Sequence, residues 1–324
     1  MQKILVRRSG PLAGEFPVSG AKNAALPQLC AAILTDERLT LQNCPDLADI
    51  ETLSKLLAQH GVTIDAARLG SQHDPSELVL QASEITNITA PYELVSHMRA
   101  SILVLGPLLA RVHRAKVSLP GGCAIGARPV DLHLKGLQAL GAEINLENGY
   151  VVAKAPGGLK GAVFEFPIVS VGATENLLLA ASLAKGTTVI KNAAMEPEIT
   201  DLAKLLVKMG AKIDGIGTAQ LTIEGAERLT GTAHQVVADR IVAGTMALMV
   251  GITGGELVLR NAKLEHLVAL QALMEPAGLI FSPITGGVHV VRTCERLAAV
   301  EATTKPFPGF PTDLQSQLMA VMCT

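Results

Sequence analysis

The sequence predicts an α/β fold built from repeated units, and three observations predict it. Four segments share one plan: an Ala/Leu-rich helix, a short β run, an amphipathic helix ending in glycine, and a further β run. The glycines that end the amphipathic helices, Gly61, Gly141, Gly210 and Gly278, are spaced by 80, 69 and 68 residues. Such a period marks one supersecondary unit copied several times. Finally, 324 residues with 49% apolar and 17% charged side chains supply core material for roughly two ordinary domains.

Taken in order, the first unit has a helix over 23–34, a strand over 39–43, an amphipathic helix over 50–60 and a β run at 62–64. The second repeats this with helices over 99–110 and 130–140 and β runs at 116–119 and 142–144. The third has helices over 174–184 and 199–209, with β runs at 187–190 and 211–213. The fourth has helices over 241–250 and 264–277, with β runs at 256–259 and 279–280. Each marker glycine serves as the helix C′ residue, where the chain takes a positive φ before the next strand. Asp46 and Asp49 in the first unit and Asp201 in the third suit helix N-termini. A fifth unit begins at Phe310-Pro311-Thr312-Asp313, and its helix is still running at Thr324. An apolar helix without a cap or following strand reads as part of a longer chain.

Composition excludes several functions. The formal charge is −2 and the pI near 6.5, so no global field attracts nucleic acid or acidic membranes. Six Phe, two Tyr and no Trp cannot build base-stacking platforms or interfacial belts. The longest apolar stretches, 100–110 and 241–252, fall short of the roughly 18–20 residues of a membrane span. The N-terminal residues lack an apolar signal region, and a cytoplasmic protein is expected. Five scattered cysteines without a CxxC pair fit reduced thiols rather than disulfides or a zinc site. No metal or cofactor is expected.

Three loops could carry chemistry. In Pro120-Gly121-Gly122-Cys123-Ala124-Ile125-Gly126-Ala127-Arg128-Pro129, glycines let backbone N–H groups approach an anion and Arg128 adds a fixed charge. Cys123 beside that cation is placed as a reactive thiol, or is a small buried residue in a tight turn. Pro129 suits the first position of the following helix. His133 could pair with Cys123, although helical spacing points it elsewhere. In Ser19-Gly20-Ala21-Lys22-Asn23, Lys22 opens a helix against its dipole, as Arg99 does in the second unit. Two cations at corresponding helix entries suggest a shared anion site, against the plainer reading of solvated side chains. In Phe307-Pro308-Gly309-Phe310-Pro311-Thr312-Asp313, the prolines and glycine fix a loop presenting Asp313 at a helix start, as an N-cap or as a catalytic residue. Arg111, His113, Arg114 and Lys116 read as a solvated helix end, Asp239-Arg240 as an interdomain pair, and Gly157-Gly158 as a turn.

These motifs together resemble the UDP-N-acetylglucosamine 1-carboxyvinyltransferase family of enolpyruvyl transferases. The resemblance runs from Gly20-Ala21-Lys22-Asn23-Ala24-Ala25 through the Cys123 loop and Ser170-Val171-Gly172-Ala173-Thr174-Glu175-Asn176 to Phe310-Pro311-Thr312-Asp313. It implies a two-domain inverted α/β barrel of βαβαββ-type units. Residues 22–237 would form a complete three-unit domain, and 1–21 with 238–324 part of the second. It implies transfer of enolpyruvyl from phosphoenolpyruvate to the 3′-hydroxyl of UDP-N-acetylglucosamine with release of phosphate, opening peptidoglycan synthesis and so serving cell shape and division.

The resemblance also implies roles. Cys123 would protonate the enol carbon and be the residue alkylated by fosfomycin, and Lys22 and Arg128 would contact phosphoenolpyruvate. Asn23, Arg99, Arg128, Pro129, Val130, Asp131, Leu132, Ser170, Val171 and Gly172 would contact the nucleotide sugar, with Asp313 approaching the sugar hydroxyl as base. Ile168 stands where some members carry a lysine near the uridine, and further family arginines would lie beyond Thr324. The shikimate-pathway enolpyruvyl transferase is a rival without a Gly-Gly-Cys loop. A non-catalytic UDP-sugar-binding fragment or regulator of the same fold is the alternative from another class.

Overall fold

A computed structural model describes residues 4–5, 10–67, 76–96, 98–119 and 130–323. The chain separates into two compact units: a continuous one, Gly20–Val237, and a split one, Met1–Ser19 with Ala238–Thr324. The chain first forms β1 (Glu15–Pro17), a strand of the split unit. It then enters the continuous unit with α1 (Lys22–Ala31), β2 (Arg38–Cys44), α2 (Ala48–Gln59), β3 (Thr63–Ala67) and β4 (Ser76–Gln81). The second repeat is β5 (Thr89–Ala90), α3 (Tyr92–Val95), a 3-10 segment Arg99–Val104, α4 (Leu105–Val112), β6 (Arg114–Ser118), α5 (Asp131–Ala139), β7 (Glu143–Glu147) and β8 (Tyr150–Lys154). The third is β9 (Val163–Glu165), α6 (Val171–Ala181), β10 (Thr187–Lys191), α7 (Pro197–Lys208), β11 (Lys212–Asp214) and β12 (Gln220–Glu224), followed by β13 (Thr232–Gln235). The split unit resumes with α8 (Arg240–Thr253), β14 (Glu256–Arg260), α9 (Val268–Met274), β15 (Leu279–Ile284), β16 (Gly287–Arg292) and α10 (Gln315–Met322).

The described strands form four four-stranded sheets of one plan: β13-β2-β4-β3, β5-β6-β8-β7, β9-β10-β12-β11 and β1-β14-β16-β15. In each, the leading strand is parallel to its neighbour, whereas the other pairings are antiparallel. Two sheets take their leading strand from far away in sequence. The sheet of β2 is completed by β13 from the exit of the continuous unit, and the sheet of β14 by β1 from the start of the chain. The crossing segments meet through Ala21 N–H donating to Val237 O and Asp239 N–H donating to Ser19 O.

Within the continuous unit, α1 from Ala24 onward, α4 through Ala110 and α6 from Ala173 onward are buried along their length. Helices apolar on all sides belong in a core, and alanines such as Ala24, Ala25 and Ala180 allow close approach. The strands bury one face, as Leu39 and Leu41 do in β2 and Leu78 and Leu80 in β4. Helices therefore lie inside and sheets outside. Gly61, Gly141, Gly210 and Gly278 all take positive φ, from 89° to 109°, as C′ glycines do.

Several expectations are corrected. Asp201 is no helix cap. It is buried in α7 and accepts hydrogen bonds from Gln28 Nε2 at 2.7 Å and Val237 N–H at 3.0 Å, with His234 Nε2 also 3.0 Å away. Arg111 is not a solvated end. Its guanidinium donates to the carbonyls of Ile33, Thr35 and Ala82 at 2.7–2.9 Å, closing the C-terminal end of the first inner helix. The helix expected over 264–277 is interrupted at Leu267, which separates a 3-10 turn from α9. Asp239 caps α8, accepting from the N–H groups of Ile241 and Val242. Among the described residues, no helix is long and apolar enough to cross a membrane.

Candidate active site

The described sequence-selected residues of the continuous unit stand at helix starts, those of the inner helices α1, α4 and α6 and that of α5. Lys22 is the first residue of α1, where its charge opposes the helix dipole. The Asp49 carboxylate in the first turn of α2, 2.9 Å away, offsets that cost. Asn23 follows, exposed. Arg99 opens the 3-10 segment leading into α4, and that segment packs against both α1 and α6. Val130 stands buried at the N-cap of α5, and exposed Asp131 and half-buried Leu132 begin the helix. Ser170 caps α6 by accepting the Ala173 N–H, and Val171 and Gly172 form its first turn.

His133 shows that these ends adjoin. A Cβ at Gly172 would lie 3.3 Å from His133 Cε1 and 3.5 Å from Nε2, so α5 and α6 meet there. Burial pushes the His133 imidazole down to about 4; the nearby Arg99 charge adds to the shift and Asp131 opposes it. Arg99, Asp131, His133 and Gly172 thus form one cluster around a neutral ring. Helix N-termini with Lys22 and Arg99 beside them offer groups that suit a phosphate or carboxylate.

Cys123, Arg128 and Pro129 lie outside the described residues, as does all of Pro120–Pro129. Ile168 is 67% exposed. Asp313 belongs to the split unit, where it is exposed within the 3-10 turn Thr312–Leu314. The N-cap positions are Pro311 for that turn and Leu314 for α10, so the expectation of Asp313 as N-cap is corrected. The Phe307–Pro308 peptide before it is cis, and the Arg240 guanidinium lies 5.8 Å from the Phe307 ring centre.

The sequence reading placed Asp49 at a helix start, as it stands in α2, but gave no site role to Asp49, Asn176 or three buried carboxyls, Glu175, Glu196 and Glu198. Burial holds Glu175 well above the ordinary carboxyl range, reinforced by Glu198 and Glu196. The available signal was Glu175-Asn176 inside an otherwise apolar helix, since buried polar groups there require partners. Among the described residues, no group of three or more His, Cys, Asp or Glu side chains is placed to hold a metal ion.

A cavity of about 800 Å³ opens instead at the C-terminal ends of the inner helices, lined by Thr35, Arg111, His113, Lys185 and Arg228 among others. Its size would suit a ligand, but its cations are committed. Arg111 is bound to carbonyls, Lys185 donates to Gly157 O, and Arg228 pairs with Asp36 and Glu37. The N-terminal ends are the better candidate.

The comparisons agree with this fold. The model of the EPSP synthase (3-phosphoshikimate 1-carboxyvinyltransferase) family matches residues 6–324. The chain is 56% identical to the UDP-N-acetylglucosamine 1-carboxyvinyltransferase of Rhodospirillum centenum and to that of Dinoroseobacter shibae, over all of this chain and 76% of each relative. It is 53% identical to that of Granulibacter bethesdensis, over 99% of this chain and 75% of the relative. The chain thus spans about three quarters of the length of these relatives. Among solved structures, the enolpyruvyl transferase NikO from Streptomyces tendae superposes with a TM-score of 0.81 at 18% identity, over 97% of this chain and 73% of that one. An EPSP synthase from Acinetobacter baumannii gives 0.70 at 19% identity, over 98% and 70%. The chain belongs to the EPSP synthase family of enolpyruvyl transferases, where its relatives at 53–56% identity are UDP-N-acetylglucosamine 1-carboxyvinyltransferases.

Proposed function

We propose that the chain transfers the enolpyruvyl group of phosphoenolpyruvate to the 3′-hydroxyl of UDP-N-acetylglucosamine, releasing phosphate. The observation that carries this reading is that Lys22, Arg99 and Ser170–Gly172 each stand at the N-terminal start of an inner helix or of the segment leading into one. Both substrates are anions, and helix N-termini with fixed cations bind phosphate and carboxylate groups.

The reaction is an addition followed by an elimination. The sugar oxygen bonds to C2 of phosphoenolpyruvate while Cys123 delivers a proton to C3, and Asp313 takes the hydroxyl proton. The tetrahedral intermediate then loses a C3 proton and its C2–O bond to phosphate, restoring the double bond. A thiol suits the first step because, near its ordinary value of about 8.5, it still holds its proton at neutral pH. Lys22 and Arg128 neutralise the phosphate as it departs. Asn23, Arg99, Arg128–Leu132 and Ser170–Gly172 hold the nucleotide sugar. On this reading the reaction is the first committed step of peptidoglycan synthesis, it occurs in the cytoplasm, and fosfomycin alkylates Cys123.

Phosphate release from the purified chain tests the reading. Release that requires both substrates, is absent with shikimate 3-phosphate as acceptor, and is lost in Cys123→Ala is the expected result. Binding of the nucleotide sugar without release would instead mean a non-catalytic binder of the same fold. Release with shikimate 3-phosphate would overturn the assignment of the acceptor.

A further inference from the structure

The Asn176 side chain sits inside the backbone ladder of another element. In an α-helix the Gly106 N–H would donate to the Ile102 carbonyl, four residues earlier. Here Gly106 N–H donates to Asn176 Oδ1 at 2.8 Å, and Asn176 Nδ2 donates to Ile102 O at 3.1 Å. The carboxamide thus replaces one i→i−4 bond with two bonds of its own. The Ile102 carbonyl also accepts the Leu105 N–H, the tighter i→i−3 pattern. This is where the six-residue 3-10 segment Arg99–Val104 gives way to α4. Runs of 3-10 helix beyond three or four residues are uncommon, and an inserted side chain is a recognised cause of a break in the ladder. Glycine is required at 106, where a Cβ would fall 2.3 Å from Asn176 Oδ1.

The same geometry fixes every proton. Gly106 N–H can only donate and Ile102 O can only accept, so the orientation of the amide is determined. One Nδ2 hydrogen remains, and His133 Nδ1 lies 3.1 Å from Nδ2. His133 Nδ1 is therefore an acceptor, and the neutral ring carries its proton on Nε2, the edge against Gly172.

We propose that Asn176 is a positioning residue of the nucleotide-sugar subsite, holding the Arg99 segment in its 3-10 turns and the His133 ring in the Nε2–H tautomer beside the start of α6. The subsite rests on the function proposed above, whereas the tautomer does not.

Long-range proton–nitrogen correlation on the full chain labelled with 15N-histidine reads the tautomer directly, and the unaltered chain should show Nε2 protonated and Nδ1 bare. In the near-isosteric Asn176→Asp, the single oxygen Oδ2 replaces the Nδ2 donor and faces His133 Nδ1 with an acceptor, so the ring should take up a proton at Nδ1. Calorimetry with UDP-N-acetylglucosamine should show about tenfold weaker binding in Asn176→Asp and Asn176→Ala, one decade in the equilibrium constant. An Nδ1–H ring in the unaltered chain overturns the proposal. So does a folded Asn176→Asp that melts earlier yet binds the nucleotide sugar as tightly as the parent, because Asn176 would then be structural only. Failure of the unaltered chain to bind, with the tautomer as expected, overturns the proposed function and the subsite while upholding the hold of Asn176 on the His133 ring.

Discussion

The Lys22 ammonium lies 2.9 Å from the Asp49 carboxylate, an ion pair joining the first residue of α1 to the first turn of α2. Both side chains are about 40% exposed, so the pair itself contributes at most about 1 kcal/mol to stability. Its importance is competition, since an incoming anion must share Lys22 with Asp49. Asp49→Asn should leave the unfolding midpoint nearly unchanged and tighten phosphoenolpyruvate binding about two- to fivefold at low salt. Most of that gain should vanish by 0.5 M salt through screening. Calorimetry at two ionic strengths checks this, and unchanged affinity at low salt would remove Lys22 from the anion site.

Stability should vary with pH through two opposing groups. His133 is held down to about 4 from its ordinary 6.5, so between those values the unfolded chain binds a proton that the folded chain refuses. Stability is therefore lost as pH falls through that window, by roughly 3 kcal/mol in all. His60, also lowered by burial, adds the same sign. Glu175 is held well above its ordinary 4.5, so its contribution is lost as pH rises. The slopes oppose each other from about pH 4.5 upward, where both groups titrate. Glu175→Gln should expose the His133 slope in urea titrations from pH 7 to pH 4, and adding His133→Gln should largely flatten it. An unchanged slope in the double variant would mean that neither group governs acid sensitivity.

Thiol chemistry should be confined to a few positions. Burial pushes Cys44 up to about 12 and Cys30 higher still, so neither offers a thiolate near neutral pH. Cys323 is exposed. Brief alkylation of the native chain at pH 8, followed by peptide mass mapping, should modify Cys323 and leave Cys30 and Cys44 untouched until denaturant is added. Label on Cys30 in the native chain would show that the core around α1 opens readily.

Arg111 should be a stability residue without a role in the site. It satisfies carbonyls from two segments in a geometry that lysine cannot span. Arg111→Lys should cost about 2–3 kcal/mol in denaturant unfolding and leave nucleotide-sugar affinity at the parent level. A loss of affinity without a loss of stability would contradict this division.

Much of the fold was legible because its signals are local. The helix-ending glycines require positive φ, and Ala/Leu-rich helices announce burial on all sides. The leading strands were harder to see: β5 has two residues and β9 three, too short for a period-2 pattern to register. Among site residues, Lys22 and Arg99 were legible because a cation at a helix N-terminus breaks a local rule. Asn176 was not, nor was Asp201 in the core, since their partners lie 43–74 and 33–173 residues away. Arg111 was misread because a basic residue near a helix end is ordinarily solvated, and only the packed structure shows which carbonyls surround it.

The pairing of β1 with β14 bears on how the chain is made. During synthesis β1 emerges first, but its partner follows about 240 residues later, a large loop to close. Because Ala21 and Val237 are hydrogen-bonded neighbours, a folded continuous unit brings the two ends of that loop together. The effective loop then shrinks to roughly two dozen residues, most of them in α8, lowering the entropic cost of closure by about 2 kcal/mol. Assembly is thereby ordered: the inserted unit folds first and acts as the clasp on which the outer unit closes.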